Sequence, residues 1–300
     1  MAMPAYRGRF APTPSGPLHF GSLVAALGSY LEARSHDGAW LLRIEDVDPP
    51  RVAAGSADAI LHTLEAFGFE WDGPVMYQSR RGEAYRAAVD ELWHLGLVYA
   101  CACSRKQLSE VARRGVDGPV YPGTCRTRQH ADRALAQRFR VPDSRVIFHD
   151  NLLGHVACNV ASECGDFVLR RADGIYSYQL AVVVDDAEQG VSHVVRGADL
   201  LTSTPRQIVL QQALDLPTPA YLHLPVALDE QGAKLSKQTL AQPVESASPL
   251  AALRAAARFL GLVLPADIDT SAGFWQAALA AWPGHSPPPI RGRRPNPCNP

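Results

Sequence analysis

The stretch Phe10–Ser22, FAPTPSGPLHFGS, sets three prolines (Pro12, Pro14, Pro17), two glycines (Gly16, Gly21) and His19 directly ahead of an apolar helical pattern. Residues 7–11 (RGRFA) before it read as a short strand. After it, Leu23, Ala26, Leu27, Tyr30 and Leu31 recur at helical spacing, which predicts a helix over 22–34. The order is strand, Gly/Pro loop, helix. A helix N-terminus offers unpaired N–H groups and the positive end of its dipole, so a loop that delivers a ligand there suits phosphate. The glycines permit close approach, and the prolines fix φ and lower the entropy of the loop. His19 can donate to a phosphate oxygen whose charge grows in a transition state. By itself the same composition also suits a rigid turn capped by Ser22.

Working outward, a second strand is expected over 39–44 (AWLLRI), ending in Glu45-Asp46-Val47-Asp48, and a helical period resumes over 58–67. Strands alternating with helices predict a Rossmann-type parallel sheet in the α/β class. Arg9 at the end of the first strand and Arg196 near the end of a later one (192–195) fall where open parallel sheets place ligands. A helix is expected over 203–214, capped by Thr202 or Ser203, and another near 249–260. The expected divisions are 1–96, the first half of the catalytic domain; 97–184, an insertion; 185–240, the second half; 241–282, a short helical remnant; and 283–300, a proline-rich disordered tail. Within the insertion, strands are expected over 145–149 and 155–160, and the run 166–185 (DFVLRR, then YSYQLAVVVDD) reads as β-rich.

Composition narrows the class. The chain has 300 residues, 47% of them hydrophobic, and a formal net charge of −1, enough for a full core and more than one domain. No run of 18 apolar residues and no signal peptide is present, so a soluble, cytoplasmic protein without membrane contact is expected. Charge is unevenly spread. Residues 101–145 hold ten Lys/Arg against four acids, a local balance of +6 that suits a phosphate-tracking surface as well as a solvated one.

Two further clusters carry chemistry. Lys234-Leu235-Ser236-Lys237-Gln238 follows a turn signal at 228–232, and two lysines bracketing a hydroxyl suit a clamp on a triphosphate. Six cysteines without a secretory signal point to metal, catalysis or burial rather than disulfides. Cys101, Cys103 and Cys125 offer three thiolates where structural zinc wants four ligands. From the residues alone the fourth is open, with His130 and Tyr121 as candidates. Cys158, Cys164 and Cys298 have no useful spacing.

The loop P-x-P-S-G-x-x-H-x-G paired with KLSK resembles the HIGH and KMSKS signatures of class I aminoacyl-tRNA synthetases. The resemblance extends through 42–48 (LRIEDVD), 71–74 (WDGP), 166–174 (DFVLRRADG) and 195–201 (VRGADLL), strings similar to the glutamate-specific branch. Departures are Phe20 and Ser22 in the first signature and Gln238 in the second; His19, Lys234 and Lys237 are retained. By length and pattern the chain looks like the glutamyl-Q tRNA(Asp) synthetase family, shortened relatives of glutamyl-tRNA synthetase. The resemblance implies ATP bound by His19, Gly21, Lys234, Ser236 and Lys237, with Mg²⁺ on the phosphates and His19 and Lys237 catalytic. It implies L-glutamate held by Arg9, Phe10, Ala11, Pro12, Thr13, Glu45, Tyr178 and Arg196, with Arg9 on the side-chain carboxylate and Glu45 on the ammonium group. Internal ion pairing is the plainer role for Glu45 and Arg196, and core packing for Tyr178. It implies one structural zinc on Cys101, Cys103, Tyr121 and Cys125. With 63 residues after Lys237, no anticodon domain is expected, so the acceptor becomes queuosine in the anticodon of tRNA(Asp), bound by a monomer. The competing readings are a degenerate glutamyl-tRNA synthetase, a zinc-containing RNA-binding module without catalysis, and a nucleotidyltransferase using another acid.

Overall fold

The computed structural model describes residues 6–115, 118–128, 134–226, 244 and 248–288. The N-terminal unit alternates β1 (Arg7–Phe10), α1 (Phe20–Ser35), β2 (Ala39–Ile44), α2 (Ser56–Ala66), β3 (Met76–Tyr77) and α3 (Gly82–His94). Strands β1, β2 and β3 pair in parallel. Leu23, Ala26, Leu27, Tyr30 and Leu31 of α1 are all buried, as the helical spacing requires. They pack with Trp40, Leu64 and Phe67 in one core.

The chain continues through β4 (Val98–Cys101), α4 (Arg105–Val111), β5 (Arg114–Gly115), β6 (Gly118–Pro119), β7 (Ala136–Phe139), β8 (Arg145–Asp150), β9 (Gly154–Asn159), α5 (Val160–Glu163) and β10 (Val168–Arg170). Strands β4, β7 and β10 form a separate antiparallel sheet. It carries the cysteines at one end. The β8–β9 hairpin instead joins the sheet β11-β12-β8-β9, in which β11 (His193–Gly197) and β12 (Ala220–Leu224) run parallel.

Between β10 and β11 lies α6 (Tyr178–Glu188), a helix where the sequence reads as β-rich. Val182, Val183 and Val184 favour a strand by χ1 stiffness, but helical winding buries Leu180, Ala181, Val182 and Val183 in the second core. Ser177 caps the helix by accepting from the Leu180 N–H. Burial and the cap outweigh β-propensity here.

Helix α7 (Thr204–Ala213) joins β11 to β12, and α8 (Pro249–Phe259) and α9 (Ser271–Ala281) are the last helices among the described residues. The last two pack on the N-terminal core through Leu253, Leu260 and Phe274. Of the proline-rich tail, His285 stays near α8, its Nε2 lying 2.7 Å from the Leu260 carbonyl oxygen.

The two parallel groups meet where the Ser192 N–H donates to the Arg7 carbonyl (3.0 Å). From that seam β1 leads into α1 on one side and β11 leads into α7 on the other. This divergence is the crevice in which doubly wound sheets bind ligands. The helix lies close over it: a Cβ at Gly28 of α1 would stand 2.5 Å from Leu224 Cδ1 of β12.

Candidate active site

A cleft of about 930 Å³ opens at the carboxyl ends of these strands. It gathers Arg9, Phe10, Ala11, Pro12, Thr13, His19, Gly21, Glu45, Tyr178 and Arg196 from four separate parts of the chain. The proposed lysine loop, Lys234, Ser236 and Lys237, lies outside the described residues, as do His130 and Cys298.

The opening loop is tied to the end of β2 by the Glu45 N–H, which donates to Pro12 C=O (3.0 Å), and by the Ala53 N–H on Pro14 C=O (2.9 Å). Gly16 takes φ 138°, a region closed to most side chains, and lets the chain turn toward the helix. His19 is the N-cap of α1, with Nδ1 accepting from the Ser22 N–H (3.3 Å). The Ser22 hydroxyl stands 3.1 Å from Nε2. Ser22 therefore holds the histidine ring.

Two buried arginines, Arg9 and Arg43, meet two carboxylates below the loop. Asp186 of α6 takes Arg9 on both oxygens, at 3.1 Å from Nε and 3.3 Å from Nη2, and lies 2.7 Å from Arg43 Nη2. Burial works against the charge of Asp186, yet the Arg9 and Arg43 guanidiniums hold its carboxyl below the ordinary range. Glu45 lies 3.6 Å from Arg43, and burial pushes its carboxyl above the ordinary range despite Arg43 and Arg9. A buried carboxylate of that kind gains from an incoming ammonium group.

Arg196 differs from the other two. Its Nε donates to His223 Nε2 (3.1 Å), Nη1 to the Tyr178 hydroxyl (3.3 Å) and Nη2 to Thr204 Oγ1 (2.8 Å). It touches no carboxylate among the described residues. Burial pulls His223 down to about 4 against the opposing pull of Asp150, and the Arg196 charge adds to the fall, so the ring is neutral. Burial also raises Tyr178, keeping its hydroxyl protonated. An arginine held by neutral groups and only 5% exposed remains available to an anion in the cleft.

Asp186, Arg43, Asp150, His223 and Thr204 carry no role in the sequence reading. Their partners are remote: Arg9 and Asp186 stand 177 positions apart, and Asp150 and His223 stand 73 apart. The Asp185-Asp186 doublet was a visible signal, concealed by the strand assignment of its segment.

At the second site the Sγ atoms of Cys101, Cys103 and Cys125 all lie within 4.8 Å of one another. Tetrahedral ligation at ordinary Zn–S bond lengths sets sulfurs about 3.8 Å apart, so this group could hold a metal ion. The Tyr121 oxygen joins it, 3.3 Å from Cys101 Sγ and 3.7 Å from Cys103 Sγ. The Cys125 N–H donates to that oxygen (2.8 Å), and Arg138 lies over the phenol ring at 3.9 Å.

Residues 5–250 match the family model of class I tRNA synthetases (E and Q), catalytic domain. The chain is 56% identical over 283 residues to the glutamyl-Q tRNA(Asp) synthetase of Chromobacterium violaceum, covering 94% of this chain and 95% of that one. It is 57% identical over 282 residues to the enzyme of that name from Dechloromonas aromatica, covering 93% of each. A glutamate tRNA ligase from Elizabethkingia meningosepticum, solved in complex with its amino acid, superposes with TM-score 0.75 at 26% identity over 91% of this chain and 64% of that longer one. The glutamate-tRNA synthetase of Elizabethkingia anophelis shares the fold at TM-score 0.76 and 24% identity, with 93% of this chain and 66% of that one covered. With the synthetase crevice, its histidine loop and its arginine-lined floor in place, the chain belongs to the glutamyl-Q tRNA(Asp) synthetase family of class I synthetases.

Proposed function

We propose that the chain condenses L-glutamate with ATP to glutamyl-adenylate and transfers the glutamyl group to queuosine in the anticodon of tRNA(Asp). The observation that carries this reading is Arg196, a buried cation without a carboxylate neighbour among the described residues, in the cleft that also holds His19. A guanidinium meets a carboxylate at two points and meets the neutral amide of glutamine incompletely. Arg9, Arg196 and Tyr178 receive the substrate carboxylates and Glu45 receives the ammonium group. Phe10, Ala11, Pro12 and Thr13 form the adjoining wall.

In the first step a glutamate α-carboxylate oxygen attacks the α-phosphorus, the bond to the β-phosphate oxygen breaks, and pyrophosphate leaves with that electron pair. His19 at the N-terminus of α1 donates to the phosphate oxygens, and Lys234, Ser236 and Lys237 close on them by resemblance to the family's lysine loop. Mg²⁺ carried by ATP neutralises phosphate charge when bound. In the second step a queuosine ring hydroxyl attacks the adenylate carbonyl, the acyl–phosphate bond breaks, and AMP leaves. The hydroxyl proton passes to the departing phosphate or to solvent.

Cys101, Cys103, Tyr121 and Cys125 would hold one zinc ion, whose contribution is to fix the fold of the insertion. The basic residues of 101–145 would follow the phosphates of an anticodon stem-loop, with the protein working as a cytosolic monomer. No helix among the described residues is long and apolar enough to cross a membrane.

Pyrophosphate exchange without tRNA, followed by transfer to tRNA(Asp) with and without queuosine, tests the reading. Exchange with glutamate but not glutamine, and transfer only to the modified tRNA, are expected. Charging of the tRNA 3′ end regardless of queuosine would instead identify a shortened glutamyl-tRNA synthetase, and absence of exchange would leave an RNA-binding module.

A further inference from the structure

Behind Arg196 runs a chain of buried groups that the proposed chemistry does not employ. Asp150 ends β8 and His223 lies near the end of β12, each 0% exposed. Asp150 Oδ1 accepts the N–H groups of Leu152 (3.0 Å) and Leu153 (2.9 Å). Its Oδ2 accepts the His223 N–H (3.1 Å) and faces His223 Nδ1 at 2.6 Å.

A carboxylate engaged in this way only accepts, so Nδ1 must carry a hydrogen. On the other side of the ring Arg196 Nε stands 3.1 Å from Nε2, and an arginine N–H only donates, so Nε2 must offer its lone pair. The two neighbours together admit one form, the neutral imidazole protonated on Nδ1. The other tautomer, or an imidazolium, would oppose N–H to N–H at Arg196. Thr204 Oγ1 lies 3.2 Å from the same Nε2, and the Tyr221 ring stacks along the imidazole with centroids 6.0 Å apart.

We propose that Asp150 and His223 are positioning residues for amino-acid binding. Asp150 sets the imidazole tautomer, the Nε2 lone pair fixes the rotation of the Arg196 guanidinium, and Arg196 then presents its remaining Nη1 hydrogen and the Tyr178 hydroxyl to a substrate carboxylate. This rests on the assignment of glutamate to the cleft. The need for such a relay is geometric. A guanidinium free to rotate keeps its charge but loses the fixed fork that distinguishes a carboxylate from an amide.

The test measures glutamate and ATP KM separately by pyrophosphate exchange in the wild type, His223→Gln and His223→Leu. It also reads the His223 tautomer in the wild-type protein from ¹⁵N imidazole shifts at pH 7. Leucine removes the acceptor, and glutamate KM is expected to rise about tenfold or more while ATP KM holds within about twofold. Glutamine sets an oxygen where Nε2 stood, and glutamate KM should stay within about threefold of wild type. The tautomer is expected to be Nδ1–H. A folded leucine variant with wild-type glutamate KM, equal loss of both substrates in both variants, or an Nε2–H or imidazolium form in the wild type would overturn the proposal. The tautomer measurement decides even if both variants fail to fold. Absence of exchange in the wild type strikes the glutamate reading and leaves the tautomer result standing.

Discussion

Among the described residues Arg196 holds its charge against neutral neighbours alone, so its removal should act on the substrate more than on the fold. Arg196→Ala is expected to lower kcat/KM for glutamate in pyrophosphate exchange by roughly 10- to 100-fold, the worth of a charged hydrogen bond, with ATP KM little changed. Arg196→Lys should recover little of this, since one ammonium cannot reach His223, Tyr178 and Thr204 together. Asp186 behaves oppositely. It compensates two buried guanidiniums, and Asp186→Ala leaves Arg9 without its paired carboxylate and Arg43 with Glu45 alone, at 3.6 Å. A loss of about 3–5 kcal/mol is expected in urea unfolding, because a broken buried pair strands its remaining partner. Glu45 and Arg196, which line the cleft, were legible in the sequence because they sit in contiguous strings such as LRIED and VRGAD. Asp186, Asp150 and His223 were not, because each takes its role from a partner many residues distant.

Among the elements, α1 lies tightly on β12. Gly28→Val would drive a branched side chain into Leu224, 2.5 Å from the position of its Cβ, and push the helix off β12. Thermal melting should report a loss of about 1–3 kcal/mol, the usual cost of overpacking. At the cysteine end of the β4-β7-β10 sheet one hydroxyl meets all three cysteines. Tyr121→Phe removes the oxygen that faces Cys101 and Cys103 and accepts the Cys125 N–H. Zinc content by atomic emission after dialysis against a weak chelator is expected to fall below one per chain, and full retention would exclude Tyr121 as a ligand. Strand β2 and the buried face of α1 were legible from periodicity, since one core packs both faces of the element's pattern. Helix α6 was not. Its valine run mimics a strand, and the decisive facts are the Ser177 cap and the two-sided burial that only the tertiary structure provides.

For the whole molecule, buried titrating groups set a dependence of stability on acid. His223 falls to about 4 when folded from an ordinary 6.5, so the unfolded chain takes up a proton that the folded one refuses. Its contribution is complete above pH 6.5 and is lost as the pH falls toward 4, on the order of 3 kcal/mol in all. Asp150 and Asp186, both held below the ordinary aspartate range, add a second loss below about pH 4 as they are protonated. Glu45 has the opposite sign, and protonating it relieves part of the cost of its burial. Urea midpoints should hold from pH 7.5 to about 6.5 and fall from there to pH 4.5, and the fall should be shallower in His223→Gln.

The Arg9–Asp186 pair has a consequence for synthesis. Arg9 leaves the ribosome almost at once, and its carboxylate follows 177 residues later. Until then, seating β1 would bury a guanidinium uncompensated, at a cost of several kcal/mol. The Gly/Pro loop that follows β1 is therefore expected to settle only when α6 has emerged.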